Sequence, residues 1–168
     1  MTRTLTITDK RSLKRISTGF LWVYANEIQS LKGTSPGEWV ELVTADGEFL
    51  AAGTVNPHSL IAVRILTRKR QQPDQEFFQR RIQKARAFRE GRIDLDNCRL
   101  VFAEADRLPG FICDILGGEL YAVQLNTAGA EAFREPFLNA LREVMGDRPV
   151  MLKNESMFRE NEGLETTV

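Results

Sequence analysis

The chain has 168 residues, 42% hydrophobic and 27% charged, with 23 Lys/Arg balanced by 23 Asp/Glu and a single histidine. These values fit one ordinary globular domain or two small ones and exclude a disordered chain. No apolar run approaches the length of a membrane helix, and the start, Met1 to Leu5, lacks the apolar core of a signal peptide, so a cytoplasmic protein without a membrane partner is expected.

The charge is unevenly spread. Residues 1–72 hold 10 Lys/Arg against 6 Asp/Glu, whereas residues 73–168 hold 13 against 17. Two modules with different partners are implied, and the basic half is the nucleic-acid candidate.

Taken in chain order, the first module reads as mostly β. Leu5 to Thr8 alternates as a short strand. Asp9 can cap a helix whose apolar Leu13 and Ile16 are spaced by three, leaving Lys10, Arg11, Lys14 and Arg15 on the wet side. Phe20, Trp22 and Tyr24 then alternate as on a strand. Ser35-Pro36-Gly37 turns into a strand over 38–43, and Asp46-Gly47 signals a hairpin leading to Phe49–Val55. A turn at Asn56-Pro57-His58-Ser59 precedes a strand over 60–66. Several short strands and one early helix predict a small barrel or curled sheet.

A polar, charged boundary at 67–74 ends in Pro73-Asp74. Asp74 is expected to cap a long helix reaching Glu90, closed by Gly91, with Phe77, Phe78, Ile82, Ala85 and Phe88 as its apolar stripe. Strands follow near 99–103 and 110–115, and Gly117-Gly118 turns into a strand over 119–125. A second helix is expected over 130–145, and a last strand over 150–153 follows Asp147-Arg148-Pro149. Helix and strand are mixed without repeated βαβ units, so this module is α+β.

The residues that could carry chemistry are few. His58 sits in a tight turn and reads as a local hydrogen-bonding residue before a general base, with RNA contact the intermediate option. The carboxylates Glu104 and Asp106 read as turn chemistry, since acid–base work needs two carboxyls in one cleft. Cys98 and Cys113 lack ligand spacing, so reduced thiols and no metal are expected. No G-x-G-x-x-G links a strand to a helix, so no cofactor is expected to bind this chain alone.

Nucleic-acid binding has more behind it. Lys10, Arg11, Lys14 and Arg15 cluster on one short helix, followed by Gly19 and the aromatics Phe20, Trp22 and Tyr24. Cations give affinity for phosphate, a glycine loop lets backbone amides approach it, and aromatics can stack on bases. The alternative for the aromatics is core packing, which is the expectation for Trp22.

Several stretches resemble a known family. Lys14-Arg15-Ile16-Ser17-Thr18-Gly19-Phe20-Leu21-Trp22-Val23-Tyr24 is similar to the family's K-R-x-x-x-G-H-P-W-V-Y/F, and Asn56 to Leu66 to its N-P-x-S-x-I-x-x-R-x-L/W. Glu104-Ala105-Asp106-Arg107-Leu108-Pro109-Gly110 resembles its E-A-D-x-L-P-G, with Gln124–Gly129 and Glu162-Gly163-Leu164-Glu165 matching in the same order. The family is the bacterial S-adenosylmethionine-dependent 5-methylcytosine methyltransferases of large-subunit ribosomal RNA. Phe20-Leu21 departs from the family's frequent His-Pro.

The resemblance implies an RNA-binding PUA domain over 1–72, a small β-barrel, and a central α+β domain over 73–168. The Rossmann-like catalytic domain would come next, so no catalytic residue, and no S-adenosylmethionine site, is expected in this chain; the cofactor belongs to the full-length parent. Cys98 and Cys113 would not inherit the nucleophile's role. Lys10, Lys14, Arg15 and Gly19 are the expected RNA contacts, with Asn56, His58 and Arg64 a second set and ribosomal RNA the partner. Against this stand a stand-alone PUA-type RNA-binding module, an enzyme built on Glu104, Asp106 and His58, and a protein-interaction scaffold. The scaffold requires Phe77 and Phe78 to be exposed on the helix over 74–90.

Overall fold

The computed structural model describes residues 2–166, and the chain divides into two units, Met1–Gln71 and Gln72–Val168. The first unit holds strands β1 (Arg3–Thr6), β2 (Trp22–Val23), β3 (Trp39–Val43), β4 (Phe49–Val55) and β5 (Val63–Thr67), with helix α1 (Lys10–Ser17) after β1. They form one sheet in the order β1-β3-β4-β5-β2. β1 runs parallel to β3, and the other pairs are antiparallel. Alternation turns Val40, Leu42, Val63 and Ile65 inward, all fully buried with Ile16 of α1 against them.

An isolated bridge joins Ile7 to Ile28, and the Gln29 N–H donates to the Thr6 carbonyl at 3.0 Å. The chain leaving β1 is thereby tied to the chain following β2, so the two edges of the sheet are drawn together and the sheet curls.

Two strands are shorter than their alternation predicts. The 20–24 run keeps only Trp22–Val23, because the Glu27 carboxylate takes the Tyr24 N–H at 2.8 Å and starts a 3-10 turn, Ala25–Glu27. The strand expected from Leu60 begins at Val63, because Asn56 N–H donates to the Ala62 carbonyl at 2.8 Å and holds 57–61 in a loop.

The second unit opens with α2 (Gln75–Arg89), whose first turn is capped by Asp74, Oδ1 accepting the Phe77 N–H at 2.8 Å. Strands β6 (Cys98–Phe102), β7 (Phe111–Leu116), β8 (Leu120–Leu125) and β9 (Val150–Leu152) form a sheet in that order. β6, β7 and β8 are antiparallel, whereas β9 runs parallel to β8 after a crossover through α3 (Ala128–Ala132) and α4 (Arg134–Met145). α2 and α4 pack together around Phe78, whose ring centroid lies 5.4 Å from Phe111 on β7 and 6.0 Å from Phe137 on α4.

Two expectations change here, and one helix was not expected. The single helix over 130–145 is two helices broken at Phe133 (φ −106°, ψ 23°). Pro136 causes this: inside a continuous helix its ring would strike the Ala132 carbonyl, whereas the break places it in the first turn of α4. Phe88 leaves the apolar stripe and is 66% exposed, while Phe77, Phe78, Ile82 and Ala85 are buried. A short helix, α5 (Met157–Asn161), follows β9; its Arg159, 4% exposed, donates to the Leu125 carbonyl and pairs with Glu131 at 2.9 Å. Among the described residues, no helix is long and apolar enough to cross a membrane.

Gly110 shows why the Leu108-Pro109-Gly110 turn has its wording. Its φ is +83°, and an added Cβ would lie 2.2 Å from Thr127 Oγ1, the buried cap of α3. Gly110→Ala is expected to lower stability by about 1–3 kcal/mol, read as a reduced denaturation midpoint; a midpoint equal to wild type would contradict this packing.

Candidate nucleic-acid interface

α1 begins at Asp9, whose carboxylate accepts both the backbone N–H and the hydroxyl of Ser12 at 2.8 Å. These bonds, the hydroxyl's first, hold the Asp9 carboxyl below the usual carboxylate range. Ser12 and Ile16, one turn apart, are the buried face. Lys10, Arg11 and Lys14 are exposed on the remainder. The first turn contains no acidic residue; it has Lys10 and Arg11 instead. Cations there face the partial positive charge of the helix N-terminus, which the Asp9 carboxylate at the cap offsets.

The helix ends in a Schellman turn. Gly19 N–H donates to the Ile16 carbonyl at 3.2 Å and Phe20 N–H to the Arg15 carbonyl at 3.0 Å, with Gly19 at φ 113°. The Gly19 amide is therefore committed inside the turn, and Gly19 serves by letting the chain reverse. Arg68, at the end of β5, donates to the carbonyls of Ile16 at 3.0 Å and Phe20 at 3.2 Å. Sequence reasoning missed Arg68, since the run Thr67-Arg68-Lys69-Arg70 reads only as a charged boundary.

Arg15 is held differently from its lysine neighbours. Its guanidinium pairs with Glu27 and lies 4.8 Å from the Phe20 ring centroid and 5.6 Å from that of Tyr24. The Glu27 side chain is only 12% exposed and also holds the Tyr24 N–H, so one carboxylate fixes both the arginine and the turn beside it. Arg15, Arg11, Asp9, Asn26 and Glu27 line a depression of 390 Å³. Phe20 and Trp22 meet edge to face at 5.9 Å, and Trp22 packs against the core.

The second set lies on β5 and the turn before it. Asn56 is 4% exposed, and its Oδ1 accepts the His58 N–H at 3.1 Å. His58 itself is exposed. Arg64 is registered opposite Trp22 on one side and Thr54 on the other and is half-buried, between the fully buried Val63 and Ile65. Asn56 thus shapes the turn, while His58 and Arg64 reach the surface.

Three residues behind the rival readings, Asp106, Phe77 and Phe78, are engaged in the fold. Asp106 forms a bidentate pair with Arg89 at 3.0 and 2.8 Å, and its Oδ2 also accepts the Phe102 N–H at 2.6 Å. A carboxylate accepting three hydrogen bonds, two of them from one guanidinium, anchors a turn. Phe77 and Phe78 are buried, which removes the exposed stripe a scaffold needs. Burial pushes both thiols up, Cys113 far more than Cys98, so neither is a poised nucleophile. Among the described residues no group of His, Cys, Asp and Glu could hold a metal ion.

The β8–α3 junction is the strand-to-helix turn of the parallel crossover. There the Thr127 hydroxyl accepts the Ala130 N–H at 3.1 Å, and the Glu162 carboxylate accepts the Ala128 N–H at 3.3 Å. The chain's own groups fill the position an anionic ligand would take.

Residues 5–68 match the family model of the PUA-like domain, and the first unit carries that domain. Over most of its length the chain is homologous to ribosomal RNA large subunit methyltransferase I. It is 37% identical to that protein of Tolumonas auensis over 148 residues, covering 85% of this chain and 37% of the relative. The proteins of the same name from Klebsiella pneumoniae and Pseudoalteromonas atlantica are 34% and 36% identical over 149 residues, covering 86% of this chain and 37% and 38% of theirs. The chain therefore spans well under half the length of the curated relatives it matches. The fold is shared with a protein of Streptococcus mutans described as a SAM-dependent methyltransferase, at a TM-score of 0.77 and 15% identity over 89% of this chain and 40% of that one. A methyltransferase structure complexed with SAH aligns at a TM-score of 0.76 and 14% identity, with the same coverage.

The contrast between Lys14 and Arg15 is open to measurement. Lys14→Ala is expected to change stability by no more than about 0.5 kcal/mol, while Arg15→Ala, losing the Glu27 pair and two ring contacts, is expected to cost about 1 kcal/mol. Urea denaturation of both variants checks this; equal midpoints would contradict the clamp.

Proposed function

We propose that this chain is the RNA-recruiting and positioning portion of an S-adenosylmethionine-dependent methyltransferase that forms 5-methylcytosine in large-subunit ribosomal RNA. In this reading residues 1–72 are the RNA-binding domain and 73–168 a central scaffold. Methyl transfer, the cofactor and the catalytic residues belong to the part of the relatives that this chain does not span, and the location is cytoplasmic. The observation that carries the proposal is α1 itself, a short helix that leaves Lys10, Arg11 and Lys14 exposed beside the guanidinium of Arg15.

Lys10 and Lys14 are the principal phosphate contacts, being exposed and on one helix. Arg15 presents a fixed guanidinium edge beside Phe20, suited to a single phosphate or an unpaired base. Gly19 shapes the loop that carries this group. His58 and Arg64 extend the contact surface along β5, with Asn56 holding the turn between them. The resemblance in the Lys14–Tyr24 and Asn56–Leu66 stretches supports both sets.

Binding through phosphates carries a salt signature. The double variant Lys10→Gln/Lys14→Gln is expected to bind a large-subunit ribosomal RNA fragment more weakly and to reduce the log–log salt slope by about one per lost contact. Filter binding over a salt series measures both; wild-type affinity and slope would remove these two lysines from the interface.

A further inference from the structure

A second cation-lined surface lies on the second unit, between α2 and the 3-10 turn Ala103–Asp106. Arg81, Lys84, Phe88, Asp106 and Arg107 line a cleft of 280 Å³. Its one carboxylate is already compensated, because Asp106 is paired with Arg89. Arg81 is half-buried with its guanidinium 5.2 Å from the Phe77 centroid, so Lys84 and Arg107, both exposed, carry the accessible charge.

Two features of this cleft serve no packing purpose. Phe88 is 66% exposed on a helix whose other phenylalanines are buried. Arg92 donates to the Phe88 carbonyl and sets its guanidinium 5.2 Å from the ring centroid, which steadies the ring as a platform outside the core. Arg107 occupies the left-handed region (φ 58°, ψ 33°), where glycine or asparagine would sit without strain. A strained position occupied by a long cation marks a functional site better than a structural one.

We propose that this cleft binds a single-stranded RNA segment, with Phe88 stacking on one base and Lys84 and Arg107 meeting the flanking phosphates. Stacking plus cations is the usual means of holding unpaired strands. The volume falls below the ~300–1,000 Å³ typical of enclosed small-molecule sites, which suits one nucleotide laid against an open cleft. The inference rests on the reading of the chain as RNA-binding, yet it involves separate residues on the other unit, so the two can fail separately.

The test is fluorescence anisotropy of the whole chain with a fluorescein-labelled uridine decamer across a salt series. Arg107→Gly suits the backbone conformation, so its melting temperature is expected to match or exceed wild type, and any loss of affinity is then a loss of contact. Arg107→Gly and Lys84→Gln are each expected to weaken binding severalfold and to flatten the salt slope by about 0.7, the single-strand value for one phosphate. Phe88→Ala is expected to weaken it about tenfold while leaving the slope nearly unchanged.

Wild-type affinity in both Arg107→Gly and Phe88→Ala, or no decamer binding by wild type, would overturn the proposal. So would an equal Phe88→Ala loss for a labelled polyglutamate peptide, which would assign the cleft to an acidic protein segment. Should Lys10→Gln/Lys14→Gln leave ribosomal RNA binding intact while these variants weaken decamer binding, the first unit's assignment falls and this one stands.

Discussion

The guanidinium of Arg68 closes the C-terminus of α1 by donating to the carbonyls of Ile16 and Phe20. That contact ties the end of β5 to the place where the helix stops and β2 begins. The Schellman turn at Gly19 reverses the chain there, and Trp22–Val23 can then pair with Val63–Arg64. Arg15 is left beside Phe20 and Tyr24, where Glu27 holds it. The Ile16 carbonyl also accepts the Gly19 N–H, so Arg68 adds a second, long-range donor to a turn that is already closed locally. The turn at the end of α1 is thus held both by local bonds and by an arginine from a distant strand.

The second unit uses charge in the opposite way. Arg89 and Asp106 are nearly buried, at 12% and 10% side-chain exposure, and their pairing spends both charges on holding a turn to α2. After β9, Arg159 pairs with Glu131 and donates to the Leu125 carbonyl, while Glu162 accepts the Ala128 N–H at the β8–α3 junction. Buried pairs of this kind contribute more to geometric specificity than to net stability. They also explain why carboxylates that look available in the sequence carry no chemistry here. Exposed cations stand on α1 in one unit and at Lys84 and Arg107 in the other.

Much of this was legible in the sequence where the determining interaction is local. Asp9 and Asp74 cap helices through bonds to residues three positions on, and Asp46-Gly47 makes its hairpin through the Thr44–Glu48 pairing. The exposed lysines of α1 follow from its three- and four-residue spacing. What was not legible depends on partners far along the chain: Arg68 reaches Ile16 across 52 positions, and Arg159 reaches Leu125 across 34. The parallel pairing of β9 with β8 leaves no local trace, because its register comes from a crossover. Phe88 fits the apolar periodicity of α2 and still points outward, since periodicity cannot say where the covering layer ends. The break at Phe133 was readable from Pro136, but the apolar spacing on either side masks it.

The central claim is that the exposed cations of the PUA-like unit meet ribosomal RNA while the buried charges only build the fold. Ultraviolet crosslinking of the chain to large-subunit ribosomal RNA, followed by peptide mass spectrometry, tests it most directly. Crosslinks at the α1–β2 segment, on the peptides carrying Lys10 to Tyr24, and at the His58 turn are the predicted result. RNA adducts absent from both segments and concentrated on the Asp94–Asn97 loop or the Met157–Asn161 helix would contradict the account.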